Sequence, residues 1–170
     1  MPIENKNENL FYAISHLDKN EAIRLIEDRA EINGLTDAGD SVWSIIISSG
    51  IDAVKLALDL GANINKLDNN SHGPLYWTIF SPESAGVAEF LFSKGVKFEE
   101  PSRADKFNLF HTAAQAGNKN ILEVFLRNGP ADLLMQPNCM GKNPSEEALH
   151  AGKIDCARLI GKHLSLMSNC

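Results

Sequence analysis

The sequence predicts an all-α chain: helices in pairs, stacked as a solenoid, with short hairpin or loop fingers between the pairs. Three observations predict it. The segment NLFHTAAQAGN, from Asn108 to Asn118, recurs in degraded form at intervals of about 33 residues, the signature of a repeat architecture. Its third position falls at Phe11, Trp43, Leu75, Phe110 and Ser145, spaced 32, 32, 35 and 35 residues apart. A second marker, a glycine closing the following helix, falls at Gly61, Gly95 and Gly129, two intervals of 34.

Each period reads as two helices. The first repeat, 9–35, carries NLFYAISHLDKNEAIRLIEDRAEIN, with Phe11 and Ile14 facing inward. In the second, 36–67, SVWSIIISSG is a short apolar helix, and IDAVKLALDLGA is a longer one with Val54, Ala57, Leu58 and Leu60 at helical spacing. The third, 68–102, opens its first helix at Pro74, and Pro82 in SPESAG marks an irregular loop. The fourth, 103–137, is the most regular: Phe110, Ala113 and Ala114 face a neighbour and Gly117 ends the helix. Ile121, Leu122, Val124, Phe125 and Leu126 then build its second helix before Gly129. The stretch from Gly129 to Asn143 is long, and Pro130 and Pro137 suit an extended hairpin rather than a helix. The fifth repeat, 138–164, is atypical, as terminal repeats are, and residues 1–8 and 165–170 read as frayed ends. One such pair has too little to bury alone, so stacking must supply the core.

Composition bounds the function. The 170 residues are 44% hydrophobic and 22% charged, which suits one domain covering 1–170 with a real core. No window approaches 18 consecutive apolar residues, and MPIENKNENLFYAI lacks the basic start and apolar run of a signal peptide, so a cytoplasmic protein is expected. Cys139, Cys156 and Cys170 are too few and too uneven for a disulfide framework. The net charge of −6 is uneven: residues 1–68 hold 6 basic and 12 acidic side chains, and residues 69–170 hold 10 of each. Such a field repels phosphate backbones and anionic lipid and favours a partner with a basic surface.

These residues resemble the ankyrin repeats, and the resemblance covers nearly the whole chain. His111, Ala113, Ala114 and Gly117 match the family pattern in the fourth repeat, Pro74 and Leu75 in the third, and Gly61, Ala62, Asn63, Ile64 and Asn65 at the close of the second. Pro144, Ala148 and Gly152 match in the fifth, and Ala30, Ile32 and Asn33 in the first. Ser44 and Tyr76 replace the histidine that bridges neighbouring backbones in this family, so those repeats are expected to be looser or differently bonded.

The resemblance implies a concave face of finger tips and first helices that holds a protein partner. Carrying its variable positions over gives candidate binding residues Asp37, Asp40, Asn69, Asn70, His72, Phe80, Asp105, Phe107, Gln115, Met140, Lys142 and His150. Phe80, Phe107 and Met140 stand out as apolar side chains at positions expected to face solvent. Trp43 and Trp77 fall instead at core positions of the pattern.

No catalytic constellation is visible. His16, His72, His111, His150 and His163 are scattered, and there is no nucleophile elbow, phosphate-binding glycine loop or paired-histidine zinc helix. Cys156 stands where the second helix takes an aliphatic residue and reads as a small buried hydrophobe. The triplet Asn69-Asn70-Ser71 reads as a turn tip, and Glu99 and Glu100 as a solvated loop. The expectation is therefore a non-catalytic interaction module, monomeric alone, without cofactor or metal, nucleic acid or membrane, acting as scaffold, adaptor or inhibitor. The alternatives are an effector of a host-associated bacterium, suggested by 16 asparagines, a number that points to an AT-rich genome, and an enzyme or metal-dependent protein with a hidden site.

Overall fold

The computed structural model describes residues 5–81, 84–98 and 106–167. Pro82, Glu99, Glu100 and Asp105 lie outside them. The chain divides into two compact units, Met1–Val96 and Lys97–Cys170. The described residues are helical throughout both, with no strand.

The first unit contains α1 (Lys6–Ser15), α2 (Lys19–Glu27), α3 (Val42–Ile46), α4 (Ile51–Asp59), α5 (Pro74–Thr78) and α6 (Ala85–Ser93), with a 3-10 turn at Ile47–Ser49 extending α3. α1 packs on α2 and α3, α3 on α4 and α5, and α4 and α5 on α6. First helices therefore lie against first helices. At five residues each, α3 and α5 are too short to hold alone, and burial of Trp43, Ile46 and Leu75 holds them in place.

In the second unit α7 (Leu109–Ala116) and α8 (Lys119–Asn128) pair, as do α9 (Pro144–His150) and α10 (Ile154–Met167). α7 packs on α9 and α8 on α10, the same rule as in the first unit. Phe98, Phe110 and Phe125 fill the centre, with ring centroids 5.0 Å apart for Phe98 and Phe110 and 5.4 Å for Phe98 and Phe125. Between Pro130 and Pro137 the expected extended hairpin gives way to a single 3-10 turn, Ala131–Leu134. Its cause is apolar burial: Leu133 and Leu134 are withdrawn from water, and only a compact turn brings both inward.

Left-handed backbone positions recur along the chain. Among the described residues, four non-glycine and seven glycine residues have φ between +56° and +93°. They fall into three series. Leu17, Gly50, Gly117 and Gly152 follow the first helix of a pair; Arg29, Gly61 and Gly95 follow the second; Gly39, Ser71, Lys106 and Gly141 sit in the turns between pairs. Successive members of the last series are 32, 35 and 35 residues apart.

These series correct the register of the first pair. The Asp18 N–H donates to Ala13 O at 2.9 Å as the Asn118 N–H does to Ala113 O at 3.2 Å, and both side chains then cap the next helix. Leu17 thus corresponds to Gly117, and Leu10 rather than Phe11 takes the place of Phe110. Gly129, by contrast, has φ −86° and is not a left-handed position. A Cβ there would stand 2.6 Å from the Phe98 ring and 2.8 Å from Phe125 O, so glycine is required by close packing instead.

Candidate functional site

Three turns share one hydrogen-bond scheme. At 36–40, 68–72 and 138–142 the first residue's N–H donates to the carbonyl of the fifth, at 2.9, 2.9 and 2.8 Å, and the fourth residue's N–H returns to the first residue's carbonyl. The side chain of the first residue faces inward and accepts from within the turn. Thr36 Oγ1 takes the Asp40 N–H, Asp68 Oδ1 those of Asn70 and His72, and Asn138 Oδ1 those of Met140 and Lys142. All three side chains are buried, so each five-residue turn, with its left-handed fourth residue, is held rigid from within.

In the first unit two of these turns are joined. Asn69 N–H donates to Gly39 O at 3.0 Å, and the Asn69 amide lies so close to Gly39 that a Cβ there would collide with it. Asp37, Asn69 and Asn70 are exposed at the tips, and Asp40 and His72 are half-buried at the turn ends. From His72 an aromatic ladder climbs α5. Its imidazole stacks on Tyr76 with centroids 3.5 Å apart and planes 3° apart, Tyr76 meets Phe80 at 5.1 Å, and Trp77 stands edge-on to both His72 and Tyr76. Phe80, 55% exposed, is the open end. Trp43 is buried and donates its indole N–H to Asn63 O, as its core position predicts, whereas Trp77 is only half-buried and belongs to the ladder.

The ladder also explains what replaces the bridging histidine. Ser44 turns back on Ser41 O, and the Tyr76 ring covers His72, so both positions are differently bonded. In the second unit the bridge exists: His111 Nδ1 accepts from the Asn108 N–H and Nε2 donates to Lys142 O at 2.9 Å. Those two partners assign the neutral Nε2–H tautomer.

Glu147, on α9, is the residue the sequence reading missed. It is 1% exposed, and Oε1 accepts from Gln115 Nε2 while Oε2 accepts from Asn138 Nδ2, both at 3.1 Å. His150 Nδ1 stands 4.0 Å away. Four candidates, Gln115, Met140, Lys142 and His150, are thereby gathered around one buried carboxylate, Met140 and Lys142 through Asn138. Phe107 is half-buried with its ring 5.3 Å from His111, so it folds back rather than facing water. Asp105 lies outside the described residues.

Other concavities are lined elsewhere. A groove of about 550 Å³ between α1 and α2 is bordered by Lys6, Tyr12, His16, Glu21, Arg24 and Asp28, and one of about 480 Å³ between α4 and α6 by Lys55, Leu58, Ile64, Phe90 and Lys94. Cys156 is buried, and its thiol is pushed above the ordinary range by desolvation and secondarily by Asp155; Cys139 is exposed. Among the described residues no three His, Cys, Asp or Glu side chains gather as metal ligands, and no helix is long and apolar enough to cross a membrane. No protein-family model matches the chain, and no curated protein matches it.

Proposed function

We propose that the chain is an ankyrin-type, non-catalytic binding module that holds a protein partner, one with a basic surface, on its turns and first helices. The three left-handed series, spaced 32 to 35 residues apart except for the 67-residue step from Gly50 to Gly117, and the first-on-first, second-on-second packing within each unit support the solenoid reading. The observation that carries the binding reading is the setting of Phe80 and Met140. Each is 55% exposed; Met140 rises from a turn whose backbone the buried Asn138 side chain holds, and the Phe80 ring leans on Tyr76 just past α5. A large apolar side chain kept in water by a rigid support contributes little to folding and loses little entropy on binding. Asp37 and Asp40 lend the first unit's turns the negative charge that a basic partner needs.

Affinity capture from cell extracts, followed by titration of the purified partner, tests this. A variant carrying Phe80→Ala and Met140→Ala is expected to keep its melting temperature and lose at least tenfold in affinity, about 1.4 kcal/mol. Unchanged affinity in that folded variant overturns the proposed face.

A further inference from the structure

The charged residues of the first unit are segregated along the chain. Residues 30–54 and 67–93 contain no Lys or Arg, while Asp37 and Asp40 lie in the first of these stretches. The two stretches supply the joined turns 36–40 and 68–72 together with α3 and α5. Most of the unit's bases sit instead on α1, α2, α4 and α6 or next to them, at Lys6, Lys19, Arg24, Arg29, Lys55 and Lys94, while Lys66 shortly precedes the 68–72 turn. Lys6, Arg24 and Lys55 already pair with Asp28, Glu21 and Asp52. Among the described residues Asp37 and Asp40 enter no ion pair, and their own stretch holds no Lys or Arg to neutralise them.

The 68–72 turn, joined to the turn that carries these carboxylates by the Asn69–Gly39 bond, starts the His72–Tyr76–Phe80 ladder, whose exposed end is the Phe80 ring just past α5. Negative charge beside an exposed ring face is the pairing that suits a guanidinium. Arg can form a fork to a carboxylate and can lie flat on an aromatic plane, and it sheds water more readily than Lys. We infer that the turns and α5 of the first unit dock an extended, positively charged peptide segment of the partner, with one basic side chain at Asp37 and Asp40 and an arginine laid on Phe80.

This inference rests on the binding reading above and adds the chemistry of the partner. The test is calorimetric titration of the whole chain with a short Gly/Arg peptide, using Gly/Lys and Gly/Glu peptides of equal length for comparison. Saturable binding of the arginine peptide is expected, several-fold tighter than the lysine peptide, weakened by added salt and absent for the glutamate peptide. Phe80→Ala is expected to weaken it about tenfold, and Asp37→Asn with Asp40→Asn to flatten its salt dependence. Phe80 and Asp37 are exposed and Asp40 is half-buried with no ion pair among the described residues, so melting temperature should hold in each variant. Equal affinity for the lysine peptide overturns the arginine assignment, and arginine binding unchanged in both variants overturns the site. If the arginine peptide fails to bind while a captured partner is still lost on Phe80→Ala, this inference falls and the binding reading stands. If the partner survives Phe80→Ala with Met140→Ala, the binding reading itself falls.

Discussion

Asn138 donates its side-chain amide to Glu147 across 3.1 Å, and that one bond decides which way the amide points. An ionised carboxylate only accepts, so Nδ2 must face Glu147 and Oδ1 must face the turn, where it takes the N–H groups of Met140 and Lys142. The order of a surface turn is thus set by a charge with almost no contact with water.

Glu147→Gln should undo this. A glutamine there offers one acceptor and two donors to Gln115 and Asn138, both of which present donors, so one buried amide loses its partner. A loss of ~1–3 kcal/mol is expected, measured by urea denaturation. Amide exchange at Met140 and Lys142 should quicken before the helices open.

Arg29 sits at φ 70° where the corresponding positions hold Gly61 and Gly95. A side chain in the left-handed region is strained, so Arg29→Gly should stabilise the chain by ~1 kcal/mol despite the greater freedom of the unfolded state. Gly61→Ala, which adds a Cβ at φ +93° with no atom nearby to clash, should cost a similar amount through backbone strain alone. Both are read as midpoint shifts at constant m-value.

Gly129→Ala is expected to cost more, because the Phe98 ring and Phe125 O leave no space for a methyl. A loss of ~1–3 kcal/mol follows from overpacking. Gly161→Ala, in the interior of α10 with nothing within 4 Å, should instead stabilise by ~0.5–1 kcal/mol. Thermal melts of the two variants should move in opposite directions.

Asp28 accepts from Lys6 at 2.8 Å, and that hydrogen bond, reinforced by the ammonium charge, holds its carboxyl below the ordinary value of 3.8. A depressed carboxyl stabilises the folded state above its unfolded pKa, and the contribution is lost as pH falls through the folded one. The stability difference between the parent chain and Asp28→Asn should therefore be constant near neutrality and vanish below the ordinary carboxylate range. Because the pair is exposed, added salt should shrink that difference, and a difference that persists in strong acid would sink the assignment.

Much of this was legible in the sequence because burial and spacing coincide. Trp43, Leu75 and Phe110 each stand at the marked position and each is fully buried. The first pair slipped by one residue because Leu10 and Phe11 are both apolar and both buried, so hydrophobicity could not tell them apart. The hydrogen bond from Asp18 to Ala13 does. Asp37, Asn69, Asn70, Phe80, Gln115, Met140 and His150 are exposed as expected, whereas Asp40, His72, Phe107 and Lys142 are half-buried. Their partial burial follows from turns whose ends fold under their tips. Glu147 was invisible because a glutamate in a short helix reads as a solvated one until its amide partners, 9 and 32 residues away, are placed beside it.

By itself the sequence determined the helical character of the chain and many of the residues that face the core, since these follow from local spacing and from the cost of wetting apolar side chains. Only the tertiary structure decided where Gly129 meets Phe98, how His72, Tyr76 and Phe80 form one ladder, and which buried acceptor holds each turn. Those depend on groups distant in sequence meeting within hydrogen-bond or van der Waals reach, and periodicity carries no information about such meetings.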